Sequence, residues 1–407
     1  MGKVIYIRAG WLPTYQANGI QTVKMCEAFS KLGWKVSLYY IPSPTIREDI
    51  FEYYGLTQRF FLRPLPRAVL PLRKSFTWDA GGSLKVFQYF HAFLWAAVVA
   101  IVVRRERAHF YFTREPMVAW WLGCSDAPVV LEVHDLPRTY LDRILLVRTS
   151  YLRSVRIVIA VTEHLRHDLI AIGVPDRKTI VLHDGVDTDW KEIVSKEVAR
   201  QQLGVPLDRQ VVVYTGQLSP EKGVDTLVRA ASLVPEVLFL IVGGQERDIR
   251  WLQGLATNSG ARNIFFVGHV APKVSRLYQV AGDLLVVPQS GKSLWSSRYT
   301  SPLKLFEYMA SGRPIVATAV PCLMEVVEHG RTAWLVRPDD PHALAQGIKH
   351  VLKNKELSEH LAKHALAFVK KFSWVCRAES ILREALLHNS RRTTHSIALK
   401  ANQNKGF

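Results

Sequence analysis

The 407-residue chain has few cysteines, and acidic side chains are outnumbered by basic ones. Its four cysteines, Cys26, Cys124, Cys322 and Cys376, stand singly, with no C-x-x-C pair and no histidine at zinc-site spacing. The sequence therefore predicts neither a disulfide scaffold nor a zinc module, and a reducing compartment is expected. A composition of 48% hydrophobic and 22% charged residues excludes wholesale disorder and fibrous rods. At roughly 150 residues per domain, the length predicts two to three domains.

The chain also has little that resembles a targeting or membrane-spanning segment. Its start, MGKVIYIRAG, has one early lysine, a short apolar run and no small-residue cleavage site, which predicts a first strand. Tyr6 stands where a myristoylation signal requires Ser or Thr. The longest apolar stretch, Val86 to Val103, contains Gln88 and His91 and ends at an arginine cluster. A buried helix is favoured over membrane contact, so we expect a cytoplasmic protein, with peripheral attachment to the cytoplasmic face of a membrane left open.

Positive charge is concentrated in the first half of the chain. The net charge is +18, and residues 1–182 carry 24 basic and 14 acidic side chains. Between Gly55 and Thr77 five basic residues alternate with apolar ones and no acid occurs. This mixture fits an anionic membrane surface or a lipid-phosphate acceptor, and a solvated loop fits it equally well. A nucleic-acid partner is not expected, because no helix-turn-helix, zinc or RNA-binding signature is present.

Strands and helices alternate along both halves of the chain. Short apolar runs such as KVIYI, PVVLEV and RIVIAV in the first half, and QVVVYTG, VLFLIVGG and DLLVVPQ in the second, are typical of buried parallel strands. The pattern predicts an α/β protein with two doubly wound, Rossmann-like domains facing across a cleft. The expected units are residues 1–182 for an acceptor, 183–372 for a donor, a helix at 373–390 that returns to the first domain, and a disordered basic tail at 391–407.

The segment TSPLKLFEYMASGRPIVATAV, from Thr300 to Val320, carries the most information about function. Ser301 is predicted as the N-cap of a helix, Pro302 as its first residue and Gly312 as its stop. The free N–H groups at Leu303 and Lys304 would then form an anion site at the positive end of the helix, most often a phosphate site.

A carboxylate on the same helix and a second anion-binding candidate about 80 residues earlier accompany this predicted anion site. Glu307 follows one turn along the helix, within reach of hydroxyls attached to a bound phosphate. In YTGQLSPEKGVDTL, Gly216 ends a strand and Lys222 precedes a second helix, where a lysine can act as a point charge for a diphosphate.

These strings, with IVGG, FVGHV and LLVVPQS, closely resemble the donor-binding half of glycosyltransferase family 4, whose members are retaining enzymes of GT-B fold. The resemblance runs from about His183 to Leu344, and weaker similarity extends into the first half. It implies a nucleotide-diphosphate-sugar donor bound by the second domain, and a saccharide or lipid-linked acceptor bound by the first.

The resemblance also assigns roles to residues. Lys222 matches the diphosphate lysine, Glu307 the carboxylate on the ribose, and the segment at His269 the strand end that contacts the base. In the first half, His134 of LEVHD matches the histidine facing the transferred sugar, at a strand end where α/β sheets present ligand groups. The implied catalytic residues are His134, Lys222 and Glu307, and the implied donor-binding residues are Gly19, Gly216, Gln217, Lys222, His269, Arg298, Ser301, Leu303, Lys304 and Glu307.

The sequence departs from the family pattern at three positions. Tyr299 replaces the first glutamate of the paired-glutamate signature, Gln217 replaces an arginine, and Asp184 of HDGVD replaces the usual asparagine. The loss at Gln217 removes one cation from the diphosphate site, and we hypothesise that Arg298 or Lys292 supplies it.

The family chemistry needs no bound metal, because N–H groups and cations can stabilise the leaving diphosphate. The Asp-x-Asp triplet at 187–189 lies in the hinge-like HDGVD segment, so we interpret it as structural. Front-face displacement with retention is expected, with no cofactor. Two alternatives stay open: an inactive GT-B-like subunit, suggested by Tyr299 and Gln217, and a nucleic-acid-binding protein, suggested by the charge.

Overall fold

The computed structural model describes residues 2–65, 82–188 and 194–387. The remaining residues lie outside it. They include the expected tail at 391–407, Asp189, and the part of the basic segment between Gly55 and Thr77 that follows residue 65. All statements below refer to the described residues.

The first domain is built on a seven-stranded parallel sheet in the order β3-β2-β1-β4-β5-β6-β7. Its strands are β1 (Lys3–Leu12), β2 (Lys35–Pro42), β3 (Phe61–Pro64), β4 (Phe110–Thr113), β5 (Val129–Val133), β6 (Val155–Ala160) and β7 (Thr179–Val181). Its helices are α1 (Ala17–Lys31), α2 (Ile50–Tyr54), α3 (Gly82–Arg104), α4 (Pro116–Cys124), α5 (Tyr140–Tyr151) and α6 (Glu163–Ala171). The central strands are buried along their whole length, because helices cover both faces.

The second domain repeats the architecture with six parallel strands in the order β10-β9-β8-β11-β12-β13. Its strands are β8 (Val211–Thr215), β9 (Leu238–Val242), β10 (Ile264–Gly268), β11 (Leu284–Val287), β12 (Ile315–Thr318) and β13 (Trp334–Val336). Its helices are α7 (Lys196–Leu203), α8 (Val224–Ser232), α9 (Glu246–Asn258), α10 (Pro272–Ala281), α11 (Leu303–Ala310), α12 (Pro321–Met324), α13 (Pro341–Lys353) and α14 (Lys355–Phe368). The predicted pair of doubly wound domains is confirmed.

The chain crosses between the domains twice, and the two crossings lie side by side. Val186 lies on the first crossing, and its N–H donates to Phe372 O at 2.9 Å. On the second crossing, the N–H of Trp374 donates to Val186 O at 3.3 Å. The chain then forms a last helix, α15 (residues 374–387), whose apolar residues Ala378 and Ile381 enter the core of the first domain.

The carboxyl edges of the two sheets face each other. Tyr15, which follows β1, contacts His269, which follows β10. Asp187 Oδ2 lies 2.9 Å from Lys24 Nζ of α1 and 2.9 Å from Arg276 Nη2 of α10. Asp187 therefore has a structural role at the hinge, as the sequence predicted.

Helix α3 differs in part from its prediction. The apolar stretch at 86–103 does form a helix of a large α/β domain, but only one of its faces is buried against the sheet. The described residues contain no helix long and apolar enough to cross a membrane.

Candidate active site

Two lysines of the second domain, Lys304 and Lys222, are near enough to interact electrostatically, and Lys304 lies at the end of β8. Lys304 Nζ donates a hydrogen bond to Tyr214 Oη at 2.5 Å and lies 3.8 Å from the centroid of the Tyr214 ring. Gly216 has φ +131°, and a Cβ on it would lie 2.9 Å from Lys304 Nζ. A side chain at 216 would therefore compete with Lys304 for this space, and glycine keeps it free.

The electrostatics of this lysine pair favour a polyanion. Burial lowers the pKa of Lys304 well below its usual range, and the nearby Lys222 ammonium lowers it further. Burial also lowers the pKa of Lys222, whose Nζ lies 5.4 Å from the ring centroid of Trp295. Among the described residues, no carboxylate lies within 4.0 Å of either nitrogen. An anion that brings its own negative charge is the natural partner of two such ammonium groups.

Helix α11 begins one residue later than predicted. Its N-cap is Pro302, with no side-chain hydrogen bond, and Leu303 is its first residue. Ser301 was predicted as the cap, but its Oγ accepts instead from the backbone N–H of Asp184 at 2.8 Å. Gly312 follows the helix with φ +67°, as predicted for its stop. The N–H groups of Leu303 and Lys304 therefore stand uncapped by any described side chain at the positive end of the helix.

Glu307 is held in place one turn further along α11. Gln279 of α10 donates through Nε2 to Glu307 Oε2 at 3.0 Å and to Thr215 Oγ1 at 3.2 Å. Gln279 is fully buried, so it fixes this carboxylate relative to the end of β8. The Glu307 charge also raises the pKa of Lys304, which places both groups in one site.

His269 lies at the edge of the site, after β10. It is exposed, and its ring meets the ring of Tyr15 edge to face, with centroids 4.5 Å apart. Partial burial lowers its pKa. The predicted base-contacting segment is thus covered in part by a loop of the first domain.

Tyr299 and Arg298 point to the first domain. Tyr299 Oη donates to Asp168 Oδ2 at 2.7 Å, and Arg298 Nη2 lies 3.7 Å from the same oxygen. Burial and the Asp168 bond raise the pKa of Tyr299 to about 12. Arg298 is therefore engaged in an ion pair between the domains, and it would have to leave Asp168 to serve the diphosphate site as hypothesised.

His134 follows β5 and is bound to a buried carboxylate. Its Nε2 lies 2.6 Å from Glu132 Oε1, and Glu132 is fully buried. Burial alone would raise the pKa of Glu132, but Arg377 and His134 hold it well below its usual range. Burial, reinforced by Arg114, lowers the pKa of His134 to about 4. At neutral pH the ring is therefore uncharged, with Nε2–H donating to Glu132 and Nδ1 left as an acceptor.

A chain of contacts joins His134 to the start of α11. Arg377 of α15 donates to Glu132 Oε2 at 2.7 Å, and its charge also acts on Asp184. The backbone of Asp184 in turn bonds Ser301. Burial raises the pKa of Asp184 to about 7, and its Oδ1 has no hydrogen-bond partner.

The remaining two predicted residues, Gly19 and Gln217, are described by their backbone surroundings. Gly19 lies in the first turn of α1, where a Cβ would come within 2.5 Å of Thr14 and Tyr54. Gln217 is exposed, and its carbonyl accepts from Tyr214 Oη at 2.5 Å.

Family models match both halves of the chain. The model described as Glycosyltransferase Family 4 matches residues 19–190, and the model described as Glycosyl transferases group 1 matches residues 209–354. The chain belongs to glycosyltransferase family 4.

Individual relatives agree with this family assignment. A D-inositol 3-phosphate glycosyltransferase of Mycobacteroides abscessus is 33% identical over 208 residues, which cover 50% of this chain and 45% of that protein. The chain spans about half the length of the curated relatives it matches.

Solved structures of GT-B glycosyltransferases share the whole fold. Anabaena HepE, solved with UDP and glucose, has a TM-score of 0.70 at 20% identity, over 94% of this chain and 99% of that one. Sucrose-phosphate synthase of Thermosynechococcus elongatus has a TM-score of 0.73 at 20% identity, over 97% and 100%. This family member therefore has the GT-B fold.

Sequence reasoning did not find Glu132, Arg377 or Asp168 as neighbours of the site. A signal for Glu132 was present, since a carboxylate inside the apolar strand PVVLEV needs a buried partner. Its partner Arg377 lies 245 residues away, and only the fold reveals that pairing.

Proposed function

We propose that the chain is a retaining hexosyltransferase that uses a nucleotide-diphosphate sugar. The acceptor is a saccharide or a lipid-linked saccharide in envelope polysaccharide, lipopolysaccharide or glycolipid synthesis, and the enzyme works on the cytoplasmic side of the membrane. The observation that carries the proposal is the pair Lys222 and Lys304 beside Gly216, at the uncapped start of α11.

In the proposed reaction the bond between the sugar C1 and the diphosphate oxygen breaks, and the acceptor oxygen bonds to C1 on the same face. The acceptor proton passes to an oxygen of the departing diphosphate. Negative charge grows on that leaving group, and Lys222, Lys304 and the Leu303 N–H are suited to stabilise it. These groups supply the positive charge without a metal ion, so we propose a metal-independent reaction with no cofactor.

The remaining residues position the donor. Glu307, oriented by Gln279, is placed to accept from the ribose hydroxyls. We assign to His269, at the end of β10, the contact with the nucleotide base. His134 presents the neutral Nδ1 as an acceptor for a hydroxyl of the transferred sugar, because Nε2 is engaged by Glu132.

A second candidate is a GT-B-like subunit that binds a nucleotide without transferring sugar. The Tyr299–Asp168 bond favours it, because the first glutamate of the family pair is absent and its replacement is engaged elsewhere.

Release of nucleoside diphosphate separates the two functions. The chain would be incubated with UDP-, GDP-, ADP- and TDP-hexoses, with and without EDTA and with water as the acceptor, while free nucleoside diphosphate and the initial anomeric configuration of the sugar transferred to water are measured. The transferase predicts release from one donor class, with retention and without loss in EDTA. Binding of a nucleotide with no release from any donor would favour the inactive subunit.

A further inference from the structure

Helix α3 packs on the first sheet through one face. Ala96, Val99, Ala100 and Val103 are buried in the core, at the three- and four-residue steps of one helix face. Trp121 of α4 fixes the helix further by donating its indole N–H to Phe93 O at 3.0 Å. The helix is therefore anchored over residues 93–103, where its other face cannot turn inward.

The opposite face of α3 is apolar and exposed. Phe87, Phe90, Leu94, Val98 and Ile101 are 58%, 58%, 47%, 48% and 63% exposed, at successive steps of three, four, four and three residues. They form a stripe about 21 Å long at 1.5 Å per residue. No charged residue interrupts the sequence from 86 to 103. Water-facing stripes of this size are unusual on a soluble protein and mark an interaction surface.

Helix α5 extends this apolar surface. Tyr140, Leu141 and Ile144 are 76%, 56% and 39% exposed. Tyr89, about two turns into α3, contacts Asp142 in the first turn of α5. We call the exposed stripe of α3, with these three residues of α5, the α3–α5 face.

Four exposed arginines border the α3–α5 face and outnumber the nearby carboxylates of Glu106 and Asp142. Arg104, Arg105 and Arg107 are exposed at the end of α3, and Arg148 is exposed on the same side of α5 as Ile144. Among the described residues, no carboxylate lies within 4.0 Å of these four guanidinium groups. Apolar side chains bordered by arginines match the acyl boundary and headgroups of an anionic bilayer. A second copy of this chain would instead bring like charges together.

The α3–α5 face is also continuous with the candidate active site. Helix α5 starts at Tyr140, six residues after His134, and Thr139 caps it at the carboxyl edge of the sheet. We propose that the α3–α5 face docks the first domain flat on an anionic membrane surface, with the His134 edge next to the headgroups. The proposal rests on the proposed function only for the orientation, which would present a lipid-linked acceptor to that edge.

Vesicle co-sedimentation of the full chain tests this proposal. The probes are vesicles of phosphatidylcholine alone and vesicles with added phosphatidylglycerol. We expect binding to the anionic vesicles only, and a loss of about tenfold in partition coefficient for Phe90→Glu and for Ile101→Glu. The control is Leu207→Glu, because Leu207 is 56% exposed in the second domain. All three positions are exposed, so the thermal unfolding midpoint should not change.

Three results would overturn the proposal. They are equal binding to both vesicle types, unchanged binding of both α3 variants, and a dimer in analytical ultracentrifugation that the α3 variants abolish in the absence of vesicle binding. Nucleotide affinity, measured on the same samples, reports on the proposed function separately. Absence of vesicle binding by the wild-type chain, with intact nucleotide binding, would refute the membrane surface and leave the proposed function standing.

Discussion

At the scale of single residues, the account depends on Lys222 and Lys304. Each is an ammonium group that burial disfavours, and no described carboxylate lies within 4.0 Å of its nitrogen. Such groups are costly in an empty site and become favourable when a ligand supplies negative charge. We therefore interpret Lys222 and Lys304 as part of an anion-binding site and not as solvated surface lysines.

Removal of one ammonium group should weaken diphosphate binding selectively. For Lys304→Met and for Lys222→Met we expect a loss of about 2 kcal/mol, or roughly 30-fold, in nucleoside diphosphate affinity. Nucleoside monophosphate affinity should fall less, since the terminal phosphate is the group contacted. Titration calorimetry measures both. Lys353→Met, at an exposed position of the second domain, is the control, and equal losses for both nucleotides would contradict this role.

The lowered lysine pKa values predict a pH dependence of donor binding. A bound diphosphate stabilises the charged lysines and raises their pKa again, so binding takes up protons wherever a lysine is neutral in the free protein. Affinity should therefore fall as the pH rises through the lowered pKa, below the usual lysine value of about 10.4. Calorimetry in two buffers of different ionisation enthalpy measures the uptake. The pH dependence of donor affinity should weaken in Lys304→Met. Unaltered proton uptake in this variant would show that a group other than Lys304 takes up the proton.

Local sequence patterns were enough to select residues that lie close together in the structure, and their roles in binding stay predictions. Gly216, Lys222, Lys304 and Glu307 were found from strand ends and helix starts, and the structure places them around one region. Tyr299 was recognised as a departure, but its partner Asp168 is 131 residues away. No local pattern specifies such a contact, because it depends on how the two domains approach each other.

At the scale of secondary structure elements, α15 returns the chain to the first domain, where it reaches the edge that carries His134. Its Arg377 and Glu132 of β5 form a fully buried ion pair, and Glu132 also holds His134. A buried pair of this kind adds little net stability over an apolar pair, but loss of one partner leaves an uncompensated charge.

Arg377→Met should therefore destabilise the protein by about 3–5 kcal/mol. It should also raise the pKa of Glu132, because the largest opposing charge is gone. Thermal or urea unfolding followed by circular dichroism measures the stability. Arg383→Met is the matched control, since Arg383 lies on the same helix with a 68% exposed side chain. A variant as stable as wild type would contradict the role of this pair.

Element bounds show where sequence patterns reach their limit. The stop of α11 at Gly312 was predicted correctly, because a glycine with positive φ ends helices for local reasons. The start was displaced by one residue, because Ser301 bonds Asp184 from another part of the chain. For α3, the apolar composition predicted a helix but could not say which face is buried.

At the scale of the whole molecule, contacts between the domains place the two halves of the site opposite each other. Glu325 of the second domain accepts from the N–H groups of Glu163 and His164, at 2.8 Å and 3.1 Å, at the start of α6. The His164 side chain binds the same carboxylate. Thr162 adds a bond to Arg298 O at 2.8 Å.

Loss of the Glu325 contact should favour a more open arrangement of the domains. For Glu325→Ala we expect a larger radius of gyration in small-angle scattering. If the chain transfers sugar as proposed, turnover should fall by about tenfold with little change in donor affinity. Glu328→Ala is the control, since Glu328 is exposed and pairs with Arg331 within the second domain. Equal scattering curves for the two variants would show that this contact does not hold the domains together.

Two-domain architecture was predictable because strand and helix alternate so regularly in both halves. The approach of the domains was not, since it depends on polar contacts such as that of the largely buried Glu325 with α6, and such contacts have no sequence period.

The central claim is that a nucleoside diphosphate binds at Lys222 and Lys304. A thermal-shift titration with UDP, GDP, ADP and TDP, with and without EDTA, tests it most directly on the wild type and Lys304→Met. The account predicts that one nucleotide raises the unfolding midpoint with the logarithm of its concentration, that EDTA has no effect, and that the variant loses most of the shift. Absence of a shift with every nucleotide, or an equal shift in Lys304→Met, would contradict it.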